Sequence, residues 1–419
     1  MIPKRLREAL QTPWRRTVYI IFFAQLMTSV GFSSIFPFLP HYVRELGSSS
    51  GLSVELLSAL VYSLQAFTMM IASPFWGAFA DRYGRKIMVL RAMFGGTIVL
   101  ALMAFVRSAE ELIFMRAVQG IVTGTISAAN ALVAAETPRD RIGYAMGLMQ
   151  VGQAGGVALG PVIGGVMADL IGYRGVFYFT AMLLLISGIL VFYGVKENVA
   201  VEPEDKEMRQ GIFERWKSLL QTPGVLMTYS LRFSTRLGHL MVLPMIPLFL
   251  AVLTPDNEYL NTLTGLVIGS AFITNAIASV YLGRLSDKIG SLKILIVSAI
   301  VAGLLYIPQA FVTSGWQLVL FQALFGITLG GMTPALSALL ARYSRVGQEG
   351  VAYGLDNSIV SGARTIAPLI GAGVALTLGL RATFIVTAIT FFLSALLAIR
   401  LFPALPTRNS SEEAQASKS

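Results

Sequence analysis

Long uncharged, mostly apolar runs divide this chain, and the longest of them decides what the chain can fold into. Ile294 to Ala341 carries no Asp, Glu, Lys or Arg over 48 residues. As a single helix it would reach roughly 72 Å, more than twice the thickness of a bilayer core. It must therefore turn back on itself, and Thr313-Ser314-Gly315 is the turn-forming stretch inside it. Runs near the ~20 residues that one crossing needs recur along the sequence. They predict spans at 17–40, 55–76, 88–106, 111–134, 143–168 and 175–195, then at 224–252, 261–282, 294–312, 316–341, 350–378 and 382–402. The third is the weakest, and snorkelling of Arg91 and Arg107 would lengthen it. The first is too long for the apolar core of a signal peptide and reads as a membrane helix.

Only 13% of the residues are charged, about half the share of a soluble protein. The net charge of +10 does not form a nucleic-acid face, because the basic residues sit in short segments between apolar runs. With both termini on the cytoplasmic side, 24 of the 32 Lys and Arg fall on that side. Arg44, Arg107, Arg174 and Arg381 fall outside, and Arg116, Arg232, Arg236 and Arg364 lie within spans. The positive-inside rule selects this orientation. Cys is absent and His41 and His239 are the only histidines, so neither a thiolate nor a His-rich metal site is expected.

The second half repeats the first at an offset of about 206 to 210 residues. Leu10-Gln11-Thr12-Pro13 returns as Leu220-Gln221-Thr222-Pro223, and GPVIGG (160–165) faces APLIGA (367–372). Gly172, Arg174 and Phe177 match Gly379, Arg381 and Phe384. The expected fold is an all-α integral membrane protein of twelve transmembrane helices in two six-helix pseudo-symmetric bundles. Residues 1–195 form the first bundle, 196–223 a cytoplasmic linker, 224–402 the second bundle and 403–419 a disordered cytoplasmic tail. Two repeated halves of this kind place a substrate site between them, near the bilayer midplane.

Three motifs then appear in order. The loop after the second span holds Gly77, Asp81, Gly84, Arg85 and Lys86 in the pattern G-x3-D-x2-G-R-K. The fourth span holds Arg116, Gln119 and Gly120 as R-x2-Q-G. The fifth holds Gly156, Gly160, Pro161, Gly164 and Gly165 as G-x3-G-P-x2-G-G. Along nearly its whole length the chain resembles the major facilitator superfamily, and its fifth-span motif resembles that of the twelve-helix drug–proton antiporters. The resemblance implies alternating-access export of lipophilic or amphiphilic compounds, driven by a proton gradient without a bound cofactor. It implies small molecules, protons and the lipid bilayer as partners, a monomer, and residence in a bacterial inner membrane.

For the loop of Gly77, Asp81, Arg82, Gly84, Arg85 and Lys86 the resemblance implies a latch between the halves in the outward-facing state. A plain anchoring turn is the alternative. The fifth-span glycines let helices approach closely, as a pliable seam or as static packing. Arg116 matches the motif arginine, to which the resemblance assigns a role near proton transfer. Arginine does not itself deprotonate. Asp356 is the one acid well inside an apolar span, and burial would raise its pKa toward a useful range. It is a proton-coupling candidate or, alternatively, an ion-pair partner of Arg82 or Arg85. Arg232 and Arg236 share a face of the seventh span, and Arg364 adds a third basic group. With Gln25 and Asn357 they are candidates for the substrate cavity.

A transporter of organic anions or phosphate-bearing solutes is the alternative that the arginines suggest, and a non-transporting receptor or scaffold is a third reading. An enzyme is not expected: no nucleophile–His pair and no P-loop is present. Reporter fusions after Gly84, Asp205 and Ser411 are expected to read cytoplasmic, and those after Ser49 or Asp256 external. An external reading at Asp205 would contradict the two-bundle topology.

Overall fold

The computed structural model describes residues 13–197, 221, 223–255, 258–343 and 349–401. Most of the expected linker and the whole of the expected tail lie outside these residues. The first half begins with α1, which runs Pro13–Ser34 and, after a turn, continues as Leu39–Leu46. Then come α2 (Val54–Tyr83), α3 (Arg85–Met103) and α4, which is split into Ala109–Val122 and Thr125–Glu136. α5 (142–171) and α6 (173–194) follow without a loop, separated at Gly172. The second half holds α7 (Pro223–Val242, continuing as Met245–Leu253), α8 (Leu260–Ile289) and α9 (Ser291–Gln309). It closes with α10 (Gly315–Tyr343), α11 (Glu349–Leu378) and α12 (Leu380–Leu401).

Among the described residues, ten helical stretches are long and apolar enough to cross a membrane. One is the merged pair α5 and α6, and α4 escapes that tally because its break leaves two pieces too short to qualify. Twelve crossings result. Large apolar side chains such as Phe105, Phe114, Ile189 and Leu320 stay exposed around the bundles, as a surface covered by lipid rather than water requires.

The sequence repeat is a structural repeat. Gly84 and Gly290 both turn the chain at φ 98°, between α2 and α3 and between α8 and α9. Gly172 and Gly379 do the same at φ 74° and 88° between α5 and α6 and between α11 and α12. A left-handed backbone is cheap only for glycine, which explains why these two pairs match between the halves. Side-chain bonds repeat as well. Thr68 donates to the Ala117 carbonyl at 2.8 Å, and Thr274 to the Ala323 carbonyl at 2.7 Å. Thr180 donates to Gly31 O, and Thr387 to Gly238 O.

Two spans depart from simple rods. The first is interrupted at 35–38, in FPFLP, where Pro37 and Pro40 lack the N–H that a continuing helix needs. The fourth breaks at Thr123-Gly124, with Gly124 at φ 141°. Its counterpart α10 is unbroken. Arg91 departs from the snorkelling expected of it. Its guanidinium lies 3.5 Å from the centre of the Trp76 ring, with Nε and Nη1 buried, so it packs between helices instead of reaching for the surface.

The halves meet along α5 with α8 and α2 with α11. These contacts concentrate at the end of the molecule opposite the α2–α3 loop, here called the far end. The loop end is called the basic end. At the far end Ala59 packs with Met245, Leu248, Ala372 and Ala375. Gly165 lies against the Asn261 backbone, and Gly265 against the Pro161 carbonyl. At the basic end Gly143, Gly147, Gly354 and Gly362 have open space beside them.

Candidate functional site

The site is the space between the halves that the far-end contacts close off. Arg236 and Arg364 face it. Both are surrounded by protein, yet Arg364 remains exposed and Arg236 partly so, which places them in an interior opening rather than on the outer surface. Arg236 lies close enough to Arg364 to feel its charge. Neither has a carboxylate partner among the described residues. Asn357 is also exposed, one residue beyond Asp356 on α11.

Asp356 itself is committed. Its two carboxylate oxygens accept from Arg232 Nε at 2.9 Å and Nη2 at 3.0 Å. Both residues are buried. Arg232 also donates to Ser337 Oγ at 3.1 Å. The partner of Asp356 is therefore Arg232 of its own half, not Arg82 or Arg85. Desolvation of two charges is tolerable only because the fork is bidentate and further satisfied. Gln25, the counterpart of Arg232 in the repeat, is buried in the first half and donates to Ser29 Oγ at 3.2 Å.

Arg116 is buried between α2 and α4. It donates from Nε to Val61 O at 3.3 Å and from Nη1 to Gln119 Oε1 at 2.6 Å, while Nη2 has no partner. Two of the motif residues thus bond to each other.

The fifth-span glycines divide their work. Gly156, Gly160 and Gly164 sit against Ser29, Ser33 and Ser34 of α1 within the first half, and Ser33 Oγ donates to Gly156 O at 2.9 Å. Gly165 faces the other half. A side chain at any of the four would meet backbone, so these approaches require glycine. Pro161 contributes the carbonyl against which Gly265 packs, and the helix continues through it.

The loop between α2 and α3 is anchored within its own half. Glu197 accepts from the backbone N–H groups of Arg85 and Lys86, each at 2.8 Å, and so caps α3. Lys86 Nζ donates to the carbonyls of Phe192 and Val195 at the end of α6. Arg85 donates to Ala131 O at 3.4 Å, and Arg82 lies over the Tyr83 ring. Gly77 has open space around it. The side chain of Asp81 lies outside what the structure describes.

Sequence reasoning missed the polar contact that joins the halves. Asp169, at the far end of α5, accepts from Asn261 N and Nδ2 at 3.3 and 2.8 Å and from Thr262 N and Oγ1 at 2.7 and 2.6 Å. Asn261 and Thr262 open α8, whose first amides have no partner inside the helix. The carboxylate of one half therefore caps a helix of the other. No local signal marks this pairing, because its members lie 92 and 93 residues apart.

Known proteins agree with this architecture. A sequence model described as "Major Facilitator Superfamily" matches residues 21–256 and 228–418. The chain belongs to this superfamily. It is 36% identical to the multidrug resistance protein MdtG of Dickeya zeae over 386 residues, covering 91% of this chain and 93% of that protein. Its fold resembles a bacterial homologue of the lysosomal transporter Spinster, inward-facing and occupied, with TM-score 0.78 and 12% identity, covering 94% of this chain and 98% of the other. It also resembles the nucleoside transporter NupG in a D323A mutant, with TM-score 0.75 and 13% identity, covering 91% of this chain and all of the other. As a superfamily member with these spans, the chain is a multi-pass membrane protein.

The Arg232–Asp356 fork yields a stability prediction. Arg232→Leu leaves a buried carboxylate alone and is expected to cost about 3–5 kcal/mol, whereas the double replacement Arg232→Leu/Asp356→Leu recovers most of the loss. Chemical denaturation in detergent reads both. Equal losses in the single and double variants would show that the pair is not the source.

Proposed function

We propose that this protein is a proton-coupled secondary exporter of lipophilic or amphiphilic small molecules, working by alternating access. The observation that carries the reading is an interior opening between two six-helix halves, shut at the far end by contacts that can separate. Glycine crossings and one carboxylate cap hold that end, and neither is a covalent or deeply interlocked joint. Similarity to MdtG supplies the multidrug character. The basic end is read as cytoplasmic from the distribution of Lys and Arg, so the described state opens toward the cell interior. Residues 196–223 are read as the cytoplasmic linker and 403–419 as a cytoplasmic tail. The α2–α3 loop is read as the latch of the opposite, outward-facing state. Its energy source is the proton gradient, and it works as a monomer in the bacterial inner membrane.

A second reading concerns substrate charge, and a specific observation favours it. Arg236 and Arg364 face the opening without a carboxylate, while the one nearby acid is already neutralised by Arg232. A permanent cation would find no counter-charge there, and a desolvated charge needs one. Uncharged and acidic amphiphiles are therefore preferred over permanent cations.

Two measurements test these readings. In acidified inside-out vesicles, chloramphenicol, an uncharged compound, is expected to release protons only when the protein is present. No release would contradict proton-coupled export. In nanodisc competition binding, Arg236→Gln or Arg364→Gln is expected to weaken anilinonaphthalenesulfonate about tenfold, within the ~1–3 kcal/mol of a charged hydrogen bond, and to leave chloramphenicol unchanged. Tightest binding by tetraphenylphosphonium, with both variants leaving the sulfonate untouched, would overturn the charge preference.

A further inference from the structure

An exporter driven by protons needs a group that changes charge within the membrane. Among the described residues the two candidates named from the sequence are poorly suited. Both carboxylate oxygens of Asp356 are already taken up in the fork with Arg232. Arg116 does not give up its proton.

His239 has the features that these two lack. It lies on α7, one turn beyond Arg236 and two beyond Arg232, on the same face. It is 7% exposed, and its Nδ1 has no hydrogen-bond partner. The ring lies 5.4 Å from that of Phe325 on α10 and edge-on to Phe272 on α8. It borders a small cavity with Leu243, Ile268, Phe272, Tyr306 and Gln322. Gln322 Nε2 donates to Gln309 Oε1 at 2.9 Å, so the Gln322 amide oxygen, the Tyr306 hydroxyl and the imidazole are the polar groups bordering the cavity, enough to hold a water. Gln322 stands where the repeat places Arg116 in the first half, so this half carries a neutral amide in place of a fixed charge. Among the described residues, Arg236 is the charged group that acts on the imidazole, and Tyr306 is the one other titratable side chain around the cavity. The α8 and α10 neighbours are apolar or amide.

We propose that His239 is the proton-carrying group of this transporter, a role that rests on the antiport reading above. The imidazole takes up a proton when the opening is empty and water reaches the cavity. An uncharged lipophilic substrate seated beside Arg236 excludes that water, and the proton leaves Nδ1 or Nε2 for water on the side to which the opening faces. Histidine is the one side chain whose ordinary pKa lets this happen near neutral pH. Charge fixes the direction of coupling. An uncharged substrate expels the proton, whereas an acid held at Arg236 would retain it, because the anion favours the imidazolium.

The chain has two histidines in all, which makes a direct test possible. The full-length protein, ring-15N-labelled at histidine in nanodiscs, gives two sets of signals, and His239→Gln assigns them. The His239 ring is expected to titrate in the empty protein, with its midpoint falling by about one unit, a tenfold loss of proton affinity, on saturation with chloramphenicol. Anilinonaphthalenesulfonate is expected to move it the other way. In proteoliposomes, His239→Gln should retain chloramphenicol exchange but lose accumulation driven by a pH gradient. A His239 ring that stays in one protonation state throughout, or a His239→Gln variant that still accumulates chloramphenicol, would overturn the proposal. If His239 titrates as expected while the unmodified protein accumulates nothing, the proton site stands and the export reading falls.

Discussion

The cap that Asp169 places on α8 is the contact on which the described state depends. An isolated helix start leaves several N–H groups without partners, and inside a membrane protein no bulk water is at hand to satisfy them. α8 meets this need with a carboxylate from the opposite half, which also accepts from the Asn261 and Thr262 side chains. The glycine crossings below it bring the α5 and α8 backbones close enough for the cap to reach. Separating the halves at this end must leave both the carboxylate and the helix start to water. That exchange costs little in an open aqueous vestibule, so the joint can be strong when dry and release when wet.

Charge inside the membrane is arranged unequally between the halves. The first half buries Arg116 against a carbonyl and an amide. The second half pairs one arginine with the one acid and leaves two facing the opening. His239 sits behind these two, with an unpartnered nitrogen and a cavity of its own. Around it the second half packs an aromatic cluster, with Tyr306 against Phe325, Phe384 and Phe391. Such a wall holds the imidazole in place without offering it a hydrogen bond.

Features that depend on composition or on backbone were legible in the sequence. Uncharged runs gave twelve crossings, because the hydrocarbon imposes one length on every span. The positive-φ glycines at 172 and 379 were visible as a repeat, because few other residues can stand there. Features that depend on distant partners were not legible. Nothing in the sequence singled out Asp169, whose role depends on α8, and Arg91 was read as a snorkelling arginine until Trp76 came alongside. Asp356 was found, but its partner was sought in the α2–α3 loop rather than on α7. His239 was counted only to exclude a metal site. An unpartnered nitrogen is a property of the fold around it, and no spacing rule reveals it.

Opening and closing at opposite ends can be read directly, because the chain has no cysteine to interfere with labelling. Spin labels at Ser49 and Thr313 report the far end, and labels at Tyr144 and Arg284 report the basic end. If the Asp169 cap holds the far end shut, Asp169→Asn should lengthen the first distance and shorten the second in electron–electron resonance measurements. Distances at both ends unchanged by Asp169→Asn would contradict the account.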